Sequence, residues 1–166
     1  MLFRSNNGDS TFTDVTLDVG LGDEHYPSAA AAWADYDGDG DLDLYVANDS
    51  TGENGWHSQL FRNRGDGTFE EVGGAAGVGS PGQAVGAAWG DYDDDGDPDL
   101  YVSYFRGPNR LYRNDGGVFT DVAKELGVAD PRHSYTVWFW DVDNDDDLDL
   151  LVSSYRTPQT AIPDLW

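Results

Sequence analysis

Short apolar runs, in which every second residue is hydrophobic, recur along this 166-residue chain and are separated by turns rich in Gly and Asp. In residues 42–47, Leu-Asp-Leu-Tyr-Val-Ala, the apolar residues Leu42, Leu44 and Val46 alternate with Tyr45 and Ala47, so both sides of this run are apolar. Alternation with a period of two, bounded by turn-forming residues, predicts short β-strands. The nearest approach to a helical period lies at 122–126 and is too short for a stable helix. The pattern therefore predicts an all-β protein.

Two sequence blocks recur three times with a common step. The first block joins an aromatic residue to an Asp-rich loop and an apolar run. Its copies span 33–46, 89–102 and 139–152. The second block joins a Leu-(Phe/Tyr)-Arg segment to a Phe-x-x-Val segment. Its copies begin at Leu2, Leu60 and Leu111. Two blocks that share one period indicate internal repeats of a supersecondary unit.

Each repeat contains four predicted strands, here named a to d. Strand a is a run of small residues such as 29–33, strand b is the apolar run after the Asp loop, and strands c and d form the second block. Four strands in a unit of about 50 residues are typical of a β-propeller blade, and a β-sandwich is the alternative. The predicted divisions are strands c and d of a split blade at 1–16, blade repeats at 28–73 and 84–123, and strands a and b of the split blade at 134–154.

The number and phase of the repeats bear on ring closure. Three blades are fewer than the roughly 4 to 8 that close a propeller. The first c–d pair lacks strands a and b, and the last a–b pair lacks strands c and d. Either the chain is a piece of a longer propeller, or copies join head to tail and complete each other's split blade, which gives six blades for two copies. We expect a homo-oligomer of this head-to-tail kind, for example a dimer of three-blade units.

The loop between strands a and b carries aspartates at positions 1, 3, 5, 7 and 9 in all three repeats. These residues are Asp35, Asp37, Asp39, Asp41, Asp43, Asp91, Asp93, Asp95, Asp97, Asp99, Asp141, Asp143, Asp145, Asp147 and Asp149. Calcium takes six to eight hard oxygen ligands in flexible geometry, whereas magnesium prefers a smaller octahedral site. Alternate residues of a tight turn can direct carboxylates at one calcium ion while position 7 offers its backbone carbonyl. We predict about one Ca²⁺ per loop and three per chain.

Two features of the loops refine this prediction. Gly40 and Gly96 stand at position 6 of the first two loops, where positive φ is favoured, and Asp146 replaces glycine in the third. We expect the third site to be weaker than the other two. An EF-hand is excluded because position 12 is valine in every loop, where an EF-hand places a bidentate glutamate, and because strands rather than helices flank the loops.

The overall charge excludes several classes of partner. With 9 basic and 32 acidic residues, the formal net charge is −23, which repels nucleic acid and anionic membranes. Apolar runs are all shorter than the roughly 20 residues needed to span a bilayer, so we expect no membrane insertion. The chain has no cysteine, which excludes disulfides, thiol catalysis and cysteine-based zinc sites.

The block Trp-x-Asp-Tyr-Asp-x-Asp-Gly-Asp-x-Asp-Leu-Tyr-Val, followed by Asn-Arg-Leu-Tyr-Arg-Asn and Gly-Thr-Phe, resembles the FG-GAP/VCBS repeats of integrin α-subunit propellers and many exported bacterial proteins. The resemblance covers nearly the whole chain. It implies a propeller fold, usually of seven blades, and it implies Ca²⁺ binding by loop positions 1, 3, 5, 7 and 9. The three copies present here depart from that blade number.

Two classes of function fit these observations. One is a calcium-stabilised module for adhesion or protein recognition, with the d-to-a and b-to-c loops as its contact surface, opposite the Asp loops. The other is a lectin that stacks sugars on aromatic residues near strand ends. The candidate aromatics are Trp56, Tyr104, Phe105, Trp138 and Tyr155. A polysaccharide-active enzyme fragment ranks third, and we expect no enzymatic activity. Weak calcium affinity favours an extracellular, cell-surface or periplasmic location.

Overall fold

The computed structural model describes residues 1–22, 26–50 and 56–155, and these contain twelve β-strands and one short helix. The strands are β1 Arg4–Asn6, β2 Phe12–Asp14, β3 Ser28–Ala34, β4 Asp43–Asn48, β5 Gln59–Asn63, β6 Phe69–Glu71, β7 Ala84–Gly90, β8 Asp99–Tyr104, β9 Arg110–Asn114, β10 Phe119–Asp121, β11 Ser134–Trp140 and β12 Asp149–Ser154. The helix α1 spans Gly73–Ala76.

The strands form four antiparallel sheets whose strand order follows the sequence. Strands β3 to β6 form one four-stranded sheet, blade one, and β7 to β10 form a second, blade two. Strands β1 and β2 form the first half-blade, and β11 and β12 form the last half-blade. The all-β prediction of partial propeller blades is confirmed, and the described residues make an open series of sheets rather than a closed ring.

The four sheets stack in sequence order, and each junction has its own apolar core. The first half-blade packs on blade one through a cluster that includes Leu21, Leu44 and Phe61. Blades one and two enclose the largest cluster, which includes Tyr45 and Leu100. The last half-blade packs on blade two through a third cluster that includes Tyr101, Leu111 and Val137. Strand β4 is buried along its whole length because neighbouring sheets cover both of its faces.

Small residues allow the inner strands of adjacent sheets to approach closely. Strand β7 lies between β3 and β11. On the side of β7 that faces β11, a Cβ atom added to Gly90 would lie 2.6 Å from the Phe139 ring. On the opposite side, Trp89 donates its indole N–H to the carbonyl of Ala32, at 3.3 Å, and stacks on Tyr36 of blade one. Glycine and alanine in strand a thus set the spacing between the sheets.

The structure differs from the sequence alignment in the first copy of the second block. Matching Leu2-Phe3-Arg4 to Leu60-Phe61-Arg62 is wrong by one residue. The N–H of Val15 donates to the carbonyl of Phe3, whereas the N–H of Val72 donates to that of Leu60. Phe3 therefore corresponds to Leu60. The same shift makes Asn6, which pairs with Phe12, the counterpart of Asn63.

Helix α1 was not predicted from the sequence. Its four residues form a single turn, which is too short to show a helical period. Gly77 ends the turn with φ of 86°, and its N–H donates to the carbonyl of Gly73. The helix connects strand d of blade one to strand a of blade two. The prediction that the chain is nearly all β is unaffected by it.

Candidate metal centre

The three Asp-rich loops share one hydrogen-bonded conformation. In the first loop, both carboxylate oxygens of Asp35 accept backbone N–H groups, from Asp39 at 3.1 Å and Gly40 at 2.9 Å. Asp39 in turn accepts the N–H of Asp41 at 2.9 Å. The equivalent bonds are present in the second and third loops. Positions 1 and 5 therefore fold each loop into a compact turn by accepting from the backbone.

Two residues in each loop adopt the left-handed backbone conformation. At position 6, φ is 93° for Gly40, 95° for Gly96 and 73° for Asp146. At position 4, φ is 70° for Gly38, 57° for Asp94 and 62° for Asn144, so Asp and Asn take this conformation where glycine is absent. Asp146 thus preserves the loop shape, at the strain expected for a non-glycine residue in this region.

The aspartate at position 9 is buried in both complete blades. Asp43 and Asp99 have no exposed surface. Asp99 accepts the N–H of Tyr92 at 3.0 Å and that of Asn114 at 2.8 Å. Asp43 accepts from Tyr36 and Asn63 in the same way. Burial raises the pKa of each carboxyl to about 6, against the hydrogen bonds, which lower it.

Carboxylates at position 3 sit in an unfavourable electrostatic environment. Desolvation raises the pKa of Asp37, and the neighbouring Asp39 carboxylate raises it further. Desolvation likewise raises the pKa of Asp93, with a second contribution from Asp95. A raised carboxyl pKa means that the negative form lacks sufficient compensation. A cation between these groups would supply that compensation.

The structure brings together three carboxylates in each loop. One oxygen from each lies within 4.8 Å of the others in each of three groups. These groups are Asp35, Asp37 and Asp39; Asp91, Asp93 and Asp99; and Asp141, Asp143 and Asp149. Every donor is a hard oxygen, the ligand type that Ca²⁺ prefers, and the clusters are compact enough for one ion to reach all three oxygens. The donor sets therefore fit a calcium ion.

The remaining predicted residues do not join these groups through their carboxylates. They are Asp41, Asp43, Asp95, Asp97, Asp145 and Asp147. Asp43 and Asp99 accept equivalent pairs of backbone N–H groups, yet only Asp99 joins its group. The Asp97 carboxylate accepts the N–H of Gly116 at 2.8 Å, and the backbone carbonyl of Asp97 is the group predicted to bind at position 7.

Two asparagines that support the loops were not identified as functional from the sequence. Asn63 and Asn114 end strand c of their blades and donate their backbone N–H groups to the buried aspartates at position 9. The Asn114 side chain also donates to the carbonyl of Tyr36, at 2.8 Å, and to that of Pro98, at 3.1 Å. Asn114 therefore connects the loops of two blades. The recurrence of Asn after Leu-(Phe/Tyr)-Arg was the available signal.

Comparison with known proteins identifies the repeats. The sequence profile of the FG-GAP-like repeat matches residues 2–46, 35–102 and 91–152. The chain belongs to the FG-GAP-like repeat family. Each of the three matches ends shortly after one Asp loop, so the matches recur with the same period as the structural repeat. The suspected family is thereby confirmed, together with its β-propeller repeat architecture.

A curated human protein is similar to part of this chain. It is Cartilage acidic protein 1 of Homo sapiens, which is 46% identical over 54 residues. The aligned stretch covers 32% of this chain and 8% of the human protein, so the chain spans a small fraction of its relative. Within the described ranges, the one helix is too short to cross a membrane.

Metal-free protein is expected to be more stable near pH 5 than near pH 7.5. The pKa of Asp43 and Asp99 is about 6 in the folded chain and 3.8 without the fold, so the folded state binds these protons more tightly. Stability therefore rises as pH falls through 6. We expect the free energy of unfolding to increase by roughly 2 kcal/mol. This is less than the full pKa shifts correspond to at about 1.4 kcal/mol per unit. Urea unfolding of the metal-free protein at the two pH values measures it.

The double variant Asp43→Asn and Asp99→Asn is the control for this measurement, because asparagine keeps the size of the side chain and does not titrate. Its stability should change much less over the same pH interval. Equal pH dependence in the variant and the parent would show that other groups are responsible.

Proposed function

We propose that the chain is a calcium-stabilised propeller module for protein recognition, with one Ca²⁺ in each Asp-rich loop. The observation that supports calcium most directly is the convergence of three carboxylate oxygens within 4.8 Å in every loop. The ligands would be the three grouped aspartates of each loop, with backbone carbonyls and water to complete the shell. When bound, the ion would neutralise the loop and supply no chemistry to a substrate.

A structural role for calcium follows from the position of the loops. Each loop joins strand a to strand b. The two strands begin to pair directly beside the loop, where Ala34 pairs with Asp43 in blade one and Gly90 with Asp99 in blade two. Three carboxylates held a few ångströms apart repel one another without a cation, and that repulsion opposes closure of the hairpin. Calcium binding should therefore stabilise the fold.

Calcium removal is expected to lower the melting temperature by at least about 5 °C, because a ligand that binds only the folded state adds to its stability. Asp37→Ala and Asp93→Ala should each lower the melting temperature at saturating calcium, since each removes a ligand from one loop. Asp18→Ala is the matched control, because Asp18 is exposed and lies outside the loops. Differential scanning calorimetry with calcium or chelator tests this. A melt that is indifferent to chelator would contradict structural metal.

The proposed affinity bears on location. Loops of this kind, exposed to solvent and built from a short segment, fall in the extracellular range of about 0.1 to 1 mM. Such a site would be filled outside the cell and empty in a low-calcium cytosol. We therefore propose an extracellular, cell-surface or periplasmic protein. Isothermal titration with CaCl₂ gives the affinity, and submicromolar binding would argue for a cytosolic sensor instead.

The proposed recognition surface lies at the end of the blades opposite the Asp loops. There the b-to-c and d-to-a connections are joined by backbone hydrogen bonds, from Ser50 to Gly82 at 3.1 Å and from Phe105 to Gln83 at 2.8 Å. Asn109 donates to Ala129 at 2.8 Å in the same way. These bonds hold loops of different blades in one continuous surface. Rigid scaffolds that present adjoining loops are typical of binding modules.

The lectin hypothesis receives less support from the structure. Tyr104 is buried, with 3% of its surface exposed, so it is not available to a sugar. Phe105 packs against His133 and Tyr135, and Trp56 is half-buried. Trp138 and Tyr155 are exposed, and Trp138 lies on the open face of the last half-blade.

Binding of the calcium-loaded chain to an array of secreted proteins and to an array of glycans separates the two hypotheses. The proposed surface would be supported if the chain binds a protein and Arg106→Ser, in the exposed b-to-c loop, weakens that binding. Val118→Ser, which lies outside the loop, should leave the binding intact. Binding restricted to glycans would favour the lectin, and turnover of an acidic polysaccharide would favour the enzyme.

A further inference from the structure

The last half-blade presents an open apolar face. Val137 and Phe139 of β11 point toward blade two and join its core. The alternate residues Trp138 and Trp140 are exposed on the other side, together with Leu151 of β12. Leu151 is 55% exposed, whereas its counterparts Tyr45 and Tyr101 are completely buried. In the complete blades the following sheet covers these two tyrosines, and the described residues provide no such sheet beside the last half-blade.

The free edge of the last half-blade lacks a specific hydrogen-bond donor. In the complete blades, the aspartate at position 9 accepts one N–H from its own loop and one from the asparagine that ends strand c. Asp149 accepts the first of these bonds, from Val142 at 3.0 Å. Among the residues that the structure describes, none is recorded as supplying the second. The third loop is therefore incomplete within the described residues of one chain.

The missing donor corresponds to a residue at the other end of the same chain. Asn6 ends strand c of the first half-blade, and its Oδ1 accepts the N–H of Gly8 at 2.9 Å, as Asn63 accepts that of Gly65. Asn6 is exposed, and strand β1 has β2 as its sole partner in the described sheets. The first half-blade thus has an unused strand c, and the last half-blade has an unused strand b.

The inner faces at the two ends are complementary in size over part of their length. Ala29 and Ala31 of β3 are exposed on the side that faces away from blade two, and the large residue on that side is Trp33, which is 42% exposed. At the junction of blade two with the last half-blade, the larger Val137 and Phe139 belong to the following strand and meet glycine and alanine of β7. If β11 of one copy met β3 of another, the large residue, Trp138, would belong to the first of the two strands and the small residues, Ala29 and Ala31, to the second. The open face of β11 therefore suits the open face of β3.

We propose that a second copy of this chain covers both ends, with β12 of one copy paired to β1 of the other and the split blade completed across the interface. In the register of the complete blades, where Tyr45 pairs with Leu60 and Val46 with Gln59, Leu151 lies opposite Phe3 and Val152 opposite Leu2 of the second copy. The N–H of Asn6 from that copy then donates to Asp149 and completes the third loop.

Two copies with two such interfaces close a ring of six blades, within the range of about 4 to 8 found for propellers. A symmetric contact between the exposed tryptophans of two copies would leave Asn6 and Asp149 unmatched, which favours the head-to-tail arrangement. Because each chain carries a formal charge of −23, calcium in the loops reduces the repulsion between copies. Assembly and occupancy of the third loop are thus coupled.

Light scattering after size exclusion, with calcium and about 0.15 M salt, tests the stoichiometry. The parent chain is expected at twice its mass of 18.1 kDa. Leu151→Arg should give a monomer, since it places a charge in the interface. It should still fold, because the side chain is exposed in a single chain. Val118→Arg, an exposed apolar residue on blade two, is the matched control and should remain a dimer. A monomeric parent at about 500 μM would overturn the proposal.

Cysteine pairing tests the register, because the parent chain has no cysteine. Facing residues of an antiparallel pair have Cα atoms about 4.5 to 5.5 Å apart, within disulfide reach. Oxidising a mixture of Leu2→Cys chains and Val152→Cys chains should give one mixed disulfide dimer as the main product. Val118→Cys mixed with Leu2→Cys is the control and should not cross-link. Predominant cross-linking of Val152→Cys chains with themselves would show a symmetric interface and overturn the head-to-tail arrangement.

Discussion

Gly86→Ala is expected to destabilise the chain by about 3 kcal/mol, at the upper end of the cost of overpacking. A Cβ atom at this position in β7 would overlap the backbone carbonyl oxygen of Tyr135 and lie 2.6 Å from Oγ of Ser103. The Ser103 hydroxyl already donates to that same carbonyl. Because the obstacle is the backbone of β11, no rotation of a side chain relieves the overlap. The last half-blade must instead move away from blade two.

Gly74→Ala is the matched control, because it makes the same chemical change in α1 where an added Cβ atom has no neighbour within 4 Å. Alanine should be neutral there or stabilise the chain by up to about 1 kcal/mol, owing to its better helix propensity. Urea unfolding with calcium present measures both variants. Equal stability of the two would mean that the close approach of β7 and β11 is not required.

The sequence repeats predicted the blades because each blade strand packs on neighbours at both faces, so its apolar residues recur at the same alternating positions in every repeat. Residues 42–47 illustrate this, since β4 is buried on both faces, as Leu44 and Val46 on one side and Tyr45 and Ala47 on the other indicate. The Asp loops were equally visible, because each aspartate position is a local feature of one short segment. Local patterns of this kind need no knowledge of the neighbouring sheets.

Register in the first half-blade could not be taken from the Leu-Phe-Arg match. The hydrogen bond from Val15 to Phe3 fixes the pairing one residue away from that match. A spacing signal was nevertheless present, because Asn6 precedes Phe12 by the same interval as Asn63 precedes Phe69. Turn length, which sets register in a hairpin, was therefore a better guide than the apolar residues.

The choice among the five aspartates of each loop could not be predicted from the sequence. Asp99 joins its cluster and Asp43 does not, although both are buried at position 9. Gly116 of the adjoining turn holds the carboxylate of Asp97. Sequence spacing defines which residues can reach a cation. It does not define which carboxylates turn toward the cation, because Asp43 and Asp99 share their position, burial and backbone donors.

Asn114→Ala is expected to cost about 3 to 5 kcal/mol, because it leaves one buried and two partly buried backbone groups without partners, at about 1 to 3 kcal/mol each. The amide donates to the carbonyls of Tyr36 and Pro98, and its Oδ1 accepts the N–H of Gly117 at 2.7 Å. The side chain has no exposed surface, so water cannot replace these bonds without rearrangement. Denaturant unfolding of the calcium-loaded chain measures the loss.

Asn63→Ala separates the contribution within a blade from the connection between blades. Asn63 holds the same place in blade one, and in the described part of the chain its side chain bonds Leu42 and Gly65 of that blade. It is partly exposed, so we expect a loss of about 1 kcal/mol. Asn114→Ala should also weaken calcium binding by the first loop, because Tyr36 belongs to that loop, whereas Asn63→Ala should leave the second loop unaffected. Equal losses in the two variants would mean that the bond from Asn114 to Tyr36 does not couple the blades.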